Sequence, residues 1–328
     1  MATLVTGAAG YIGSVTVESL RSEGNVVAAL DDLSQGHRLA LDPSIPFYQG
    51  DIGDEGLLAT IIEKHSIDSC IHFAAFASVE ESVKDPMAYF DNNVAKGMSL
   101  LRSLLKANVR QLIFSSSCAV YGDQQEVPIQ EEAKKWPKNP YGWTKLFFEQ
   151  MLDSYSRAYG LKFVALRYFN VAGASDRHGE CHNPETHLIA NVLQAAAGKR
   201  RDIAVYGTDY ATPDGTAIRD YIHVCDLADG HILALEYLRN GGECEFLNLG
   251  TGIGHSVTEV IECARQVTGR KIATTMEGRR AGDPPELVAE PSRAKTILGW
   301  TPKRSDLQTI LRTAWKWQLD HPHGYTAS

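Results

Sequence analysis

The sequence predicts an α/β protein built on a doubly wound parallel sheet, with a smaller, discontinuous second domain. Three observations carry that prediction. Short apolar runs of β type alternate with helical stretches through the first 170 residues, a glycine-rich turn joins the first strand to the first helix, and after Asn170 the alternation breaks into polar loops and short strands. Strands that alternate with helices make a parallel sheet covered on both faces, because each return crossing needs a helix.

Taken in order, residues 2–6 form a β run, 7–13 the glycine-rich turn, 15–22 a helix and 26–30 a second strand, which together make one βαβ unit. Further strands are expected at 70–75, 111–115 and 163–168, with helices at 57–64, 94–107 and 141–159. Beyond Asn170 the pattern gives helices at 188–197 and 226–238 and a strand at 245–248. The chain of 328 residues, 44% of them hydrophobic, suffices for roughly two domains at about 150 residues each. The expected division puts 1–169 and about 224–249 in the sheet domain, and about 170–223 and 250–328 in the second.

Lys+Arg 32 against Asp+Glu 40 leave a net charge of −8, which argues against nucleic acid and anionic membranes as partners. No apolar run approaches the roughly 18 residues of a membrane helix, and no leader-like segment precedes the first strand. A cytoplasmic protein is therefore expected. The six cysteines are spread without a CxxC pair and are expected to be reduced.

Gly7-Ala-Ala-Gly10-Tyr-Ile-Gly13 sits between strand and helix. The first glycine permits the tight turn, the second lets backbone N–H groups approach a pyrophosphate, and the third lets the helix pack closely. Asp31 and Asp32 end the second strand, where a carboxylate accepts ribose hydroxyls and repels a 2′-phosphate. The arrangement is Rossmann-type, and NAD is expected rather than NADP. Arg38 reads as a solvated loop charge. Asp51 and Ile52, after the third strand, are candidates for the adenine edge, with a helix N-cap as the alternative for Asp51.

Tyr141 and Lys145 lie four residues apart, on one helix face. A nearby cation favours phenolate, so Lys145 is expected to lower the tyrosine toward neutrality and make it an acid/base. Ser117, at the tip of the 111–115 strand, can add a hydroxyl to the same substrate oxygen.

These motifs stand among others. The stretches VTGAAGYIGS, HFAAFASVEES, NNVAKG, FSSSCAVYG, NPYGWTK, LRYFNVAGA, GTDYATPDGTAIRDYIHVCDLADGH, NLGTG and RRAGD span nearly the whole chain. In that order they resemble the extended short-chain dehydrogenase/reductases, most closely those that invert C4 of UDP-galactose and UDP-glucose through a transient 4-keto sugar. The resemblance implies NAD retained through turnover, Tyr141 as acid/base, Lys145 on the nicotinamide ribose and Ser117 bonded to the reacting hydroxyl. It further implies cofactor contacts at Tyr11, Ile12, Phe73, Ala74, Asn92, Ser115 and Tyr168. UDP-sugar binding is implied at Asn170, Leu188, Tyr206, Arg219, Tyr221, Arg280, Asp283 and Leu287. The chemistry of these side chains suits it: two forked cations and an amide for a diphosphate, and Asp283 for a ribose hydroxyl pair. Leu287, intermediate in size where the resembling enzymes line their sugar pocket, implies hexoses as the best pair, with UDP-xylose/UDP-arabinose or UDP-N-acetylhexosamines weaker. A homodimer is the assembly left open.

The chain departs from the resembling pattern at Ala77, where some relatives carry lysine, at Ser78, where many carry an aromatic residue, and at His187, where asparagine is usual. A nucleotide-sugar 4,6-dehydratase would need an Asp-Glu pair after the strand-end hydroxyl, but Cys118 and Ala119 follow Ser117. A non-catalytic NAD sensor would have little use for Ser117, Tyr141 and Lys145 together. His178, Cys181, His182 and His187 match no zinc spacing and read as a polar loop, so no metal is expected. His223 reads as a satisfied, half-buried histidine and Cys118 as packing volume.

Overall fold

The structure, a computed structural model, describes residues 1–280 and 283–326. Every residue of β1 (Ala2–Thr6) is buried, because helices cover both faces and leave no solvated side to impose alternation. The chain continues through α1 (Tyr11–Ser22), β2 (Val26–Asp31), β3 (Phe47–Gln49), α2 (Glu55–His65), β4 (Ser69–His72), α3 (Val79–Lys84), α4 (Pro86–Phe90), α5 (Gly97–Lys106), β5 (Gln111–Ser117), α6 (Pro140–Tyr159) and β6 (Lys162–Tyr168). The second half adds β7 (Asn170–Ala172), α7 (Leu188–Ala196), β8 (Ile203–Tyr206), β9 (Ile218–His223), α8 (Val224–Arg239), β10 (Glu245–Leu249), β11 (Gly254–Ser256), α9 (Val257–Thr268), β12 (Thr274–Glu277), β13 (Glu286–Leu287), α10 (Ser292–Leu298) and α11 (Leu307–Asp320).

Seven parallel strands form one sheet in the order β3-β2-β1-β4-β5-β6-β10. The chain winds one way from β1 through β3 and the other way from β4 onward. The crevice beyond the C-terminal ends of β1 and β4 is therefore a topological switch point, where such sheets bind ligands. Leu20, Val27, Leu166, Leu235 and Trp300 pack one face of the sheet, and Leu58, Ile61, Leu101, Phe148 and Phe163 the other. Short strands make two small sheets, β11-β9-β13 with β7 on β9, and β8-β12, over a separate core that includes Val192, Val260 and Ile310.

Three expected elements shift, each for a local reason. The first helix starts at Tyr11 because Gly10 takes the N-cap. The strand expected over 70–75 stops at His72, and the chain turns into a loop that Asn93 clamps by accepting from the Phe76 amide (2.8 Å) and donating to the Phe76 carbonyl (2.9 Å). The helix expected over 94–107 is preceded by a π-helical segment, Asp91–Lys96, which places Asn92 and Asn93 inward. Residues 292–300, expected with the second domain, instead pack on the first sheet's core through Ala294, Leu298 and Trp300. Among the described residues no helix is long and apolar enough to cross a membrane, and the six cysteines are free.

Candidate active site

The chain leaves β1 at the sheet's C-terminal edge and must turn at once into α1. Gly7 makes that turn at φ +67°, where a Cβ would lie 2.6 Å from the Ala74 nitrogen. A Cβ on Gly13 would meet the Gly7 carbonyl oxygen at 2.1 Å. Gly10, the N-cap, has no side chain to offer, so the first N–H groups of α1 remain available to an anion. Asp31 ends β2 at 6% exposure, its two oxygens accepting the Ala9 and Leu33 amides at 2.8 Å each. Burial raises its carboxyl and those amides oppose the rise. Arg38 lies over the Phe47 ring at 4.7 Å and donates to the Leu41 carbonyl, so it does not face Asp31. Asp51 pairs with Lys96 at 2.6 Å, and Asp54 caps α2 in its place. This frame fits a dinucleotide with a free 2′-hydroxyl: glycines where a Cβ would collide, open amides for a diphosphate, and a carboxylate at the ribose position.

At the centre, α6 begins with Asn139 accepting the Gly142 amide and Pro140 at its first turn. That start projects Tyr141 and Lys145 toward the tip of β5. Lys145 is buried, its Nζ donating to the Ser115 carbonyl at 2.7 Å and lying 5.8 Å from the Tyr141 ring centre. Ser117 Oγ accepts the Ala119 amide at 3.2 Å. The expected lowering of Tyr141 is overturned. Burial pushes the phenol well above its ordinary range, the Ser117 hydroxyl opposing, whereas burial brings Lys145 down to about 7 against the pull of Glu149. The spacing gave the shared helix face but not the desolvation, which sets the direction for both groups.

The remaining candidates gather in the same place. Every residue singled out for cofactor, catalysis or substrate lines one cleft of about 810 Å³. The Tyr11 hydroxyl is committed to the Gly173 carbonyl at 2.6 Å, and the Ser115 and Tyr168 hydroxyls bond to each other. Phe73 packs 4.6 Å from His231, and Asn92 donates to Asn93. Arg219 and Asp283, expected to meet different parts of one ligand, pair with each other; Arg280 lies 4.0 Å over the Tyr206 ring, and Asn170 donates to the Asp220 carbonyl. Tyr221 is buried and raised by burial to about 12, while Leu287 packs in the group with Tyr121, Leu146 and Phe169. Ala77 and Ser78 line the cleft, Ser78 also capping α3. His223 is fully buried and satisfied, its Nδ1 accepting the Cys225 amide and its Nε2 bonded to the Thr313 hydroxyl, and burial raises Cys118 to about 12.

Two groups escape the sequence reading. Beneath the site, Glu149 and Arg167 form a bidentate pair at 2.7 and 2.8 Å, nearly inaccessible; Ser116 donates to Glu149 at 2.6 Å and Arg167 to the Tyr121 hydroxyl at 3.0 Å. Glu149 follows Lys145 by one turn on α6, a spacing that hinted at it. At the cleft wall, Glu180 and Glu185 join His182 and His187. Burial would raise Glu180, but His187 and His182 pull it down to about 2, and Glu180 in turn raises His187 well above its ordinary value.

Comparison with known proteins converges. The model of the NAD dependent epimerase/dehydratase family matches residues 3–250. A UDP-glucose 4-epimerase of Halalkalibacterium halodurans is 52% identical, covering 99% of this chain and 98% of its own. The crystal structure of UDP-glucose 4-epimerase from Brucella ovis in complex with NAD superposes with a TM-score of 0.94 at 48% identity, over 96% of this chain and 98% of that one. That of the Stenotrophomonas maltophila enzyme, with bound NAD and formylated UDP-arabinopyranose, gives 0.95 at 40% identity, over 98% and 99%.

Proposed function

The chain belongs to the NAD dependent epimerase/dehydratase family, and from that premise we propose that it interconverts UDP-galactose and UDP-glucose, an isomerase inverting C4 with NAD. The observation that carries this reading is the single cleft in which the Gly7–Gly13 turn and Asp31 meet Ser117, Tyr141 and Lys145 at one end and Arg219, Arg280 and Asp283 at the other. Bound NAD supplies the hydride acceptor and donor for C4 and, when oxidised, a positive charge in the cleft that favours the phenolate.

The chain's own groups do the rest. Tyr141 takes the 4-hydroxyl proton as the C4 hydrogen leaves as hydride, giving a 4-keto sugar, and returns the proton when hydride comes back to the opposite face. Ser117 hydrogen-bonds the reacting oxygen in both directions. Lys145 spends one N–H on the Ser115 carbonyl and has two more for ribose hydroxyls. Arg219, Arg280 and Asn170 hold the diphosphate while the sugar turns over, which demands a firm grip on the nucleotide and a loose one on the hexose. Leu287 bounds the sugar without filling its space, so hexoses are the best substrates and pentoses a weaker pair.

Residues 1–169 and 224–249 serve the dinucleotide and 170–223 and 250–328 the UDP-sugar, with Ser292–Leu298 strapping the second part to the first. Free thiols support a cytoplasmic setting. A homodimer would cover the exposed apolar side chains of Val83, Met87, Trp136 and Phe147, and its sedimentation coefficient reads it out. The test of function is a panel of UDP-hexoses, UDP-pentoses and UDP-N-acetylhexosamines incubated with purified protein and no added cofactor. Conversion of UDP-galactose to UDP-glucose supports the reading; conversion of none, or only in the presence of NADP, overturns it.

A further inference from the structure

The hydride chemistry leaves one set of metal-ligating side chains unused. By sequence, His182 and His187 group with His178 and Cys181; in the fold, His178 faces Glu18 at 3.7 Å and Cys181 lies against Gly324. The group that forms is Glu180, His182, Glu185 and His187, one donor atom from each lying within 4.8 Å of the others. His187 Nδ1 is 2.6 Å from Glu180 Oε1 and 2.9 Å from Glu185 Oε1, and His182 Nδ1 is 3.3 Å from Glu180 Oε1.

The His182 Nδ1 atom is shut off from solvent and makes no hydrogen bond. With neutral imidazoles the four side chains carry two negative charges. Two imidazole nitrogens and two carboxylates are donors that zinc takes, and on a tetrahedral ion at about 2.0–2.1 Å they stand roughly 3.4 Å apart. For that shell to form, the two distances from His187 Nδ1 open by about 0.8 and 0.5 Å, and spacings of up to 4.8 Å close toward it.

We propose that Glu180, His182, Glu185 and His187 bind a divalent transition-metal cation of the zinc type. Glu180, His182 and Glu185 stand between the main cleft and a smaller cavity bounded by Trp317 and His321, and Tyr11 of α1 meets His182 edge-on at 6.3 Å. The ion would thus pin the segment leading into α7 beside the sheet domain, without touching the reacting centre. This inference is independent of the C4 reading, since metal content is measured whether or not any sugar turns over.

The test uses untagged full-length protein, stripped with a chelator, reloaded with Zn²⁺ and gel-filtered, with bound metal counted by mass spectrometry. The expected result is an equimolar amount of zinc in the parent, a visible absorption band when Co²⁺ replaces it, and loss of both in His182→Gln/His187→Gln protein that still contains NAD. Should that variant not fold, the Co²⁺ form of the parent decides in its place, an intense visible band of tetrahedral type being expected. Failure of the parent to retain zinc, equal retention by the folded variant, or cobalt uptake without a visible band would overturn the proposal.

Discussion

The two ends of the cleft hold their charged groups in opposite ways. At the dinucleotide end the fold itself satisfies them: Asp31 on two backbone amides, Lys145 on a carbonyl, and beneath them Glu149 and Arg167 locked together out of reach of water. At the end proposed for the sugar nucleotide the groups satisfy one another on short strands and loops: Arg219 pairs with Asp283 and Arg280 stacks on Tyr206. A ligand at the first end meets groups already placed, whereas one at the second must exchange places with a partner. The contrast suits a reaction that keeps one molecule fixed and turns another over.

The largest effect that would sharpen this contrast lies under the first end. Glu149→Gln leaves the Arg167 guanidinium buried and uncompensated, and stability should fall by about 3–5 kcal/mol in urea unfolding; a loss below about 1 kcal/mol would mean that the network is dispensable. Next comes Tyr141→Phe, which removes the proton carrier but no hydrogen bond that the fold requires. Its kcat should drop by about 10² or more with an unchanged melting temperature. Arg219→Lys, at the other end, should weaken UDP binding by about tenfold or more, because a point donor replaces a fork. Its stability should change by less than about 1 kcal/mol, as for other partly exposed pairs. A stability loss as large as that of Glu149→Gln would erase the distinction between the ends.

Much of the first end was legible and little of the second, for a physical reason. Gly7 and Gly13 are each demanded by a collision, with the loop after β4 and with the turn itself, so the turn announces itself. Tyr141 and Lys145 declare a common helix face by spacing, but nothing in the spacing tells how deeply they are buried, and burial decides their titration. The Arg219–Asp283 pair joins residues far apart in the chain, brought together where β13 runs beside β9. Glu180, Glu185, His182 and His187 assemble from a loop with no periodicity at all.

A further effect is one of pH. Burial lowers His231 to about 4 and His72 to about 3. Each therefore stays neutral in the folded chain while the unfolded chain takes up protons near its ordinary value of about 6.5. Their contribution is complete above that value and is lost as pH falls toward about 4. The melting temperature should decline across that window by calorimetry, and less steeply in His231→Gln; an identical decline in the variant would remove His231 from the account.

In the proposed reaction C4 is inverted by a hydride that leaves and returns without meeting solvent, while Tyr141 handles only the hydroxyl proton. Incubating UDP-galactose with the purified enzyme in D₂O, and reading the sugar protons by NMR, tests this most directly. The expected product is UDP-glucose that keeps its full complement of hydrogen at C4. Deuterium at C4 of the product would mean that a proton, rather than a hydride, is removed from that carbon, and would contradict it.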